Sequence, residues 1–99
     1  MSKYIFTNKA VEDLTEIWEY TIETWSEQQA EKYYHTIIKM CIKLSEKPNL
    51  GKDYSQIYPG LLAQKIEKHL IFYRLLENHK IEITRILHEQ MDIDNKFSK

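Results

Sequence analysis

The most informative stretch of the chain is residues 69–87, near its C-terminal end. Residues 69–76 read His-Leu-Ile-Phe-Tyr-Arg-Leu-Leu, which is rich in β-forming residues and apolar on both faces, as expected of a central strand. The polar segment 77–80 predicts a turn, and residues 80–87, Lys-Ile-Glu-Ile-Thr-Arg-Ile-Leu, alternate as a strand does. Because residues 62–68 also alternate loosely, the last third of the chain predicts an antiparallel meander of three strands.

Two amphipathic helices are predicted before this meander. Apolar residues recur at helical spacing over residues 10–25, and a second stripe follows it. Between them, Ser26-Glu27-Gln28-Gln29 is a capping box, in which a serine and a glutamine satisfy the free amides of a helix start. The first helix is therefore expected to end near Thr24 and the second to begin at Glu27. Pro48 stops the second helix, since the residue before a proline is pushed away from helical geometry.

The 99-residue length predicts one domain covering residues 1–99. With a short β-type run at residues 4–6, the elements predict an α+β fold. In this fold a short N-terminal strand and a two-helix hairpin pack on an antiparallel sheet of three to four strands. The tail, residues 91–99, is expected to be either a short helix or a frayed, mobile end.

Composition excludes several classes of protein. No apolar run reaches the roughly 18 residues that a membrane span needs, so no membrane partner is expected. The one cysteine, Cys41, lies on the apolar stripe of the second helix and fits a core residue in a reducing cytosol, which predicts a cytoplasmic protein. No cysteine and histidine pair has zinc spacing, and two glycines cannot build a phosphate-binding loop. We therefore expect no metal and no cofactor.

Charge is balanced overall but divided along the chain. The net charge is −1, yet residues 8–31 carry −6 and residues 32–85 carry +5. The basic part predicts either a positive face for an acidic partner or a phosphate backbone, or simply a solvated surface. The candidate basic residues are Lys39, Lys43, Lys47, Lys52, Lys65, Lys68, Arg74 and Arg85.

One trio of side chains has the composition of an acid–base site. His88 follows Arg85 by three residues at the end of the last predicted strand, and Glu67 lies near the start of the preceding one. A histidine with an arginine and a carboxylate suits general acid–base chemistry on RNA. The alternative is a structural histidine that closes the strand end.

Five segments together resemble a known family. Residues 6–20, Phe-Thr-Asn-Lys-Ala-Val-Glu-Asp-Leu-Thr-Glu-Ile-Trp-Glu-Tyr, are similar to the opening of ParE toxins, and Gln29-Ala30-Glu31-Lys32-Tyr33 is similar to the start of their second helix. Pro48-Asn49-Leu50-Gly51 resembles their turn. His69-Leu70-Ile71-Phe72-Tyr73-Arg74 and residues 85–92, Arg-Ile-Leu-His-Glu-Gln-Met-Asp, resemble their last strand motifs. The resemblance covers roughly residues 3–93.

The resemblance implies the RelE/ParE-like fold and the toxin of a type II toxin–antitoxin module from a bacterium or plasmid. It implies a ParD-like antitoxin that wraps the toxin and binds operator DNA, so that the toxin meets DNA only through its partner. It further implies that DNA gyrase is poisoned by binding. Contacts are then expected on the basic face and the tail, at Lys39, Lys43, Lys47, Lys65, Lys68, Arg74, Arg85 and Met91.

The related RelE ribonucleases offer a contrast within the sequence. They usually carry an arginine three residues before the strand tyrosine, and that position is Leu70 here, before Tyr73. Leucine cannot stabilise charge on a scissile phosphate, so a protein without enzymatic activity is favoured. Two alternatives stay open, an mRNA endonuclease that uses His88, Arg85 and Glu67, and a non-toxic co-repressor of the operon.

Overall fold

A computed structural model describes residues 3–97 of the chain. Its helices and strands, in chain order, are β1 (Tyr4–Phe6), α1 (Asn8–Thr24), α2 (Glu27–Glu46), β2 (Lys52–Asp53), β3 (Leu62–Ile66), β4 (His69–Leu75), β5 (Ile81–His88) and α3 (Ile93–Phe97). Short 3₁₀ turns occupy Pro48–Leu50 and Glu77–His79. The tail was expected to be either a short helix or a mobile end, and residues 93–97 form the helix α3, while residues 98 and 99 lie outside the described residues.

The strands form one mixed sheet in the order β1-β5-β4-β3-β2. Strands β2 to β5 are antiparallel neighbours, which is the predicted meander with one short strand added. β1 pairs with β5 in parallel, with Tyr4 opposite Ile81. The α+β prediction is confirmed, although the sheet has five strands and one parallel pair. Sequence periodicity does not reveal β2, because a strand of two residues is too short to show alternation. It does not reveal the direction of β1 either, because the helical hairpin between β1 and the meander determines that direction.

The starts of α1 and α2 are each capped by a side-chain hydroxyl, and the cap at Ser26 is the predicted one. The Ala10 amide donates to Thr7 Oγ1 at 3.0 Å, and the Gln29 amide donates to Ser26 Oγ at 3.0 Å. The Thr7 hydroxyl also donates to the Thr84 carbonyl of β5 at 2.8 Å. The residue that caps α1 is therefore hydrogen-bonded to β5, which fixes the start of the helix relative to the sheet.

The sheet is covered by apolar side chains on both faces. The helical hairpin covers one face, where Ile37 and Cys41 of α2 pack with Ile71 and Ile86 of the sheet. The segment 54–60 and α3 cover the other face, and the rings of Phe72 and Phe97 lie 5.1 Å apart. This double covering explains why β4 is apolar on both sides.

Cys41 is fully buried, which confirms it as a core residue. Burial raises the pKa of its thiol to about 12, so the reactive thiolate is scarce at neutral pH. Among the helices of residues 3–97, none is long and apolar enough to cross a membrane.

Tyr73 joins the sheet to the turn that follows α2. Its hydroxyl donates to the Pro48 carbonyl at 2.7 Å and accepts from the Gly51 amide at 2.8 Å. A Cβ atom at Gly51 would lie only 2.8 Å from Tyr73 Cε1, so a side chain at this position would collide with the ring. Glycine is therefore required by close approach.

We predict that Tyr73→Phe lowers the free energy of unfolding by about 1–3 kcal/mol, because it leaves a partly buried carbonyl and amide without their partner. Urea unfolding followed by circular dichroism measures the change. Tyr58→Phe is the control, since Tyr58 is an exposed tyrosine. Equal stabilities for the two variants would contradict this role of the Tyr73 hydroxyl.

Candidate functional site

A large cleft, called the main cleft below, lies between the helical hairpin and one end of the sheet. It encloses about 1130 Å³. The C-terminal half of α1 and the start of α2 form one wall, and the β3–β4 turn with the end of β5 forms the other. Its residues include Asp13, Ile17, Tyr20, Trp25, Tyr33, Glu67, Lys68, His69, His88 and Met91. The cleft therefore combines apolar surface with several titratable groups.

A bidentate ion pair lies at the base of this cleft. Asp13 of α1 accepts from Arg85 Nε at 2.8 Å and from Arg85 Nη2 at 2.9 Å. The same carboxylate accepts from the Ile86 amide at 3.0 Å, in a buried hydrogen bond. β1 ends opposite Ile83, so Asp13 takes the place of a neighbouring strand at this edge of β5. The hydrogen bonds to Asp13 raise the pKa of Arg85 further, so the guanidinium stays charged and paired.

A β-bulge in β5 determines which side chains face the cleft. Thr84 and Arg85 both lie opposite Phe72, because the register shifts between Phe72 and Tyr73. The extra residue moves the following side chains to the other face. Ile86 consequently joins the core beneath the helices, and His88, two residues further on, lines the cleft.

Two histidines are neighbours across the sheet at the cleft. His69 of β4 and His88 of β5 are register partners, with ring centroids 5.3 Å apart. The Tyr33 hydroxyl donates to the Ile66 carbonyl at 3.1 Å and lies 2.8 Å from His69 Nδ1. A hydroxyl carries one proton, so the direction of the hydrogen bond between Tyr33 and His69 Nδ1 follows the tautomer of the ring.

The environment keeps His69 neutral. Burial, and next the nearby His88, lower the pKa of His69 to about 4. Burial and the Glu67 carboxylate raise the pKa of Tyr33 to about 12, so its hydroxyl keeps its proton. His88 Nδ1 accepts from the Gln90 amide at 3.2 Å, which places the proton of a neutral His88 on Nε2.

The structure brings together only part of the predicted acid–base trio. Glu67 and His88 line the same cleft, whereas the Arg85 guanidinium is bound by Asp13. Leu70 packs in the core on the opposite face of the sheet. Within residues 3–97, no group of three or more metal-ligating side chains is assembled.

The predicted basic residues do not form one continuous face. Lys65 pairs with Glu89 at 2.9 Å, and Arg74 pairs with Glu82 at 2.9 Å, so these cations are neutralised locally. The remaining residues of the predicted contact set are exposed and divided between α2 and the rim of the cleft, at Lys39, Lys43, Lys47, Lys68 and Met91. The expected positive face is interrupted at these two points, because Glu82 of the basic segment and Glu89 beyond it lie beside Arg74 and Lys65.

Sequence reasoning missed Asp13, Tyr33 and His69 as site residues. All three lie on stripes or strands that were interpreted as structural. His69 could have been found from the register of the β4–β5 hairpin, which places it beside His88. Asp13 gives a weaker signal, namely an acidic residue next to an apolar stripe.

We predict that Asp13→Ala lowers the free energy of unfolding by about 3 kcal/mol, because it leaves the largely buried Arg85 unpaired and the Ile86 amide without an acceptor. Asp13→Asn keeps an acceptor for the amide, so its loss is smaller. Glu16→Ala is the control, since Glu16 is exposed on the same helix. Urea unfolding checks the order, and equal stability of the two alanine variants would contradict it.

His69 is expected to make the free energy of unfolding depend on pH. Its pKa is lowered from 6.5 to about 4 by folding, so the unfolded chain binds more protons between these pH values. The free energy of unfolding should therefore fall as pH drops from 6.5 towards 4. The expected contribution of His69 to the free energy of unfolding is about 1–2 kcal/mol, a value that allows for solvent screening of the partly exposed ring.

His69→Gln should remove this contribution, and His35→Gln, at an exposed position of α2, should retain it. Urea unfolding at a series of pH values measures the difference. The assignment to His69 would be wrong if the His69→Gln variant kept the pH slope of the unaltered chain.

Comparisons with known proteins agree with this architecture. Residues 4–93 match the family profile described as the ParE toxin of type II toxin-antitoxin system, parDE. The chain is 31% identical over 96 residues to Toxin ParE1 of Mycobacterium tuberculosis (strain ATCC 25618 / H37Rv), covering 97% of this chain and 98% of the relative. It is 30% identical over 98 residues to Toxin ParE of Escherichia coli, covering 99% of this chain and 95% of the relative.

A solved structure described as the chromosomal ParDE TA system from P. aeruginosa is similar in fold. It aligns with a TM-score of 0.74 and 23% identity, over 89% of this chain and 96% of that chain. The family match spans both helices and every strand from β1 to β5. The chain therefore belongs to the ParE toxin family of type II toxin–antitoxin systems.

Proposed function

We propose that this protein is a toxin that acts by binding DNA gyrase and stabilising its cleaved complex with DNA. The observation that carries the proposal is the state of Arg85, whose guanidinium is bound on two nitrogens by Asp13. A ribonuclease needs a free cation beside the scissile phosphate, where charge develops in the transition state. With Arg85 engaged and Leu70 in the core, binding is the better supported mode of action.

A binding mechanism has a defined thermodynamic form. A ligand shifts an equilibrium only by its difference in affinity for the two states. A toxin that prefers gyrase holding cut DNA would therefore accumulate breaks without performing chemistry. A gyrase target implies that the protein acts in the cytoplasm.

We further propose that a ParD-like antitoxin neutralises the toxin by occupying the cleft. Trp25 is 74% exposed and Met91 is 42% exposed at its edges, so both offer apolar surface to an incoming segment. Large side chains anchored in a groove supply most of the binding energy of such contacts. Acidic antitoxin residues would lie near the exposed Lys68 and the lysines of α2. Operator DNA would then be bound only through the antitoxin.

The purified toxin is tested with gyrase, ATP and supercoiled plasmid, with detergent and protease used to reveal broken DNA. We predict that linear plasmid increases with toxin concentration and that added antitoxin abolishes the effect. His88→Ala should retain the activity, because binding does not require a proton-transfer group. Normal gyrase behaviour at saturating toxin would contradict the proposal.

The second candidate function is an mRNA endonuclease, and the observation that favours it is the pairing of His69 with His88 in the cleft. In that case His88→Ala abolishes toxicity, retains antitoxin binding and removes new 5′ ends from cellular mRNA. A non-toxic co-repressor is distinguished by normal growth when the gene is induced without its antitoxin.

A further inference from the structure

A second groove runs along the outer side of the helical hairpin. It encloses about 460 Å³ between α1 and α2. α1 separates it from the main cleft, because Ile17 and Thr21 line the cleft whereas Val11 and Trp18 line the groove. The groove residues are Val11, Leu14, Thr15, Trp18, Glu31, Tyr34 and His35.

The groove contains a cluster of aromatic rings with accessible surface. Trp18 and Tyr34 meet edge to face, with centroids 5.9 Å apart, and the ring of His35 lies 5.8 Å from that of Tyr34. Tyr34 is 38% exposed and the neighbouring Val11 is 49% exposed. Trp18, Tyr34 and Val11 lie outside the two core clusters of the described residues, so their rings and methyl groups are available to a partner on the outer side.

Helix α1, which forms one side of the groove, is acidic, whereas α2 on the other side also carries the exposed Lys32 and Lys39. Glu31 is part of the groove wall. Asp13 is neutralised by Arg85, but the other acids of the hairpin are exposed, and the segment 8–31 has Lys9 as its one basic residue. The exposed acids are Glu12, Glu16, Glu19, Glu23, Glu27 and Glu31. A phosphate backbone or an acidic peptide would be repelled here.

We propose that this groove is a docking site for a basic segment of a partner protein. An arginine or lysine of that segment lies against the rings of Trp18 and Tyr34, with its charge near the Glu31 carboxylate. Aromatic rings attract cations through the negative potential of their faces, most strongly where water is partly excluded. The flanking apolar residues of the partner cover Val11, and the surrounding glutamates speed its approach.

This site is independent of the proposed binding in the main cleft. An acidic antitoxin segment is favoured near Lys68 and the lysines of α2 and disfavoured beside the glutamates of α1, because like charges repel. The toxin can therefore hold two partners of opposite charge on the two sides of α1. The experiment that tests the groove measures peptide binding alone and does not depend on toxicity or on gyrase.

The probe is a short amphipathic helical peptide with a central arginine in an apolar face. Its control carries citrulline, which keeps the shape and loses the charge. The protein is the full chain with Trp25→Phe, which leaves Trp18 as the single tryptophan of the two in the sequence. Trp18 fluorescence and calorimetry follow the titration.

We predict saturable binding of the arginine peptide with a change in Trp18 fluorescence, and roughly fivefold or greater weakening with the citrulline peptide. Glu31→Gln and Tyr34→Leu should each weaken binding of the arginine peptide by a similar factor. Tyr34→Leu keeps apolar bulk, so its effect isolates the aromatic ring. Glu23→Gln is the matched control, since Glu23 is exposed on α1 outside the groove.

Three outcomes would overturn the proposal. Absence of binding would exclude the site, and equal binding of the two peptides would show an apolar groove without charge recognition. Equal weakening by Glu23→Gln and Glu31→Gln would show attraction to the whole acidic surface instead of this groove. Circular dichroism on each variant establishes that the hairpin is folded in every titration.

Discussion

The contact of Asp13 with Arg85 and the Ile86 amide holds the two layers of the molecule together. One carboxylate takes three hydrogen bonds from consecutive residues of β5, at the point where β1 no longer covers the strand. A buried carboxylate is costly unless it is paired and fully hydrogen-bonded, and both conditions are met here. This contact fixes the position of α1 over the sheet together with the apolar packing of Ala10 and Ile17.

The same contact also limits the chemistry that the cleft can perform. An arginine bound on two nitrogens by an internal carboxylate is a structural group, since releasing it would leave two partly buried charges unpaired. The β-bulge beside it turns His88 towards the helices and next to His69. The cleft consequently contains proton-transfer groups beside an arginine that is already bound, with the exposed Lys68 on its rim. We propose that this arrangement serves recognition instead of phosphodiester cleavage.

Local sequence signals predicted most of the fold. The capping box at Ser26 and the polar segment 77–80 correctly placed the boundary between the helices and the turn before β5, because these depend on neighbouring residues. The parallel pairing of β1 and the bulge at Thr84 depend on contacts distant in sequence, and periodicity cannot reveal them. Unbroken alternation along β5 would place Ile83 and Leu87 on one face, but the bulge puts Ile83 in the core beneath the helices and Leu87 in the core on the other face.

The candidate site was less predictable for the same physical reason. His88 and Glu67 were found from residue type, but their neighbours Tyr33 and His69 become visible only when α2 is placed over the β3–β4 turn. The charge pattern predicted a basic face, and cross-strand acids beside Lys65 and Arg74 neutralise part of it. Placement of charge in space, which the sequence leaves undefined, decides which cations are free for a partner.

Whether harm to the host comes from binding or from cleavage is tested most directly in cells that express a His69→Gln/His88→Gln double variant without antitoxin. The measurement is the amount of gyrase covalently attached to DNA after induction, compared with the unaltered chain. We predict that the attached gyrase and the arrest of growth persist in the double variant. Normal growth of cells containing a folded double variant that still binds its antitoxin would contradict the account.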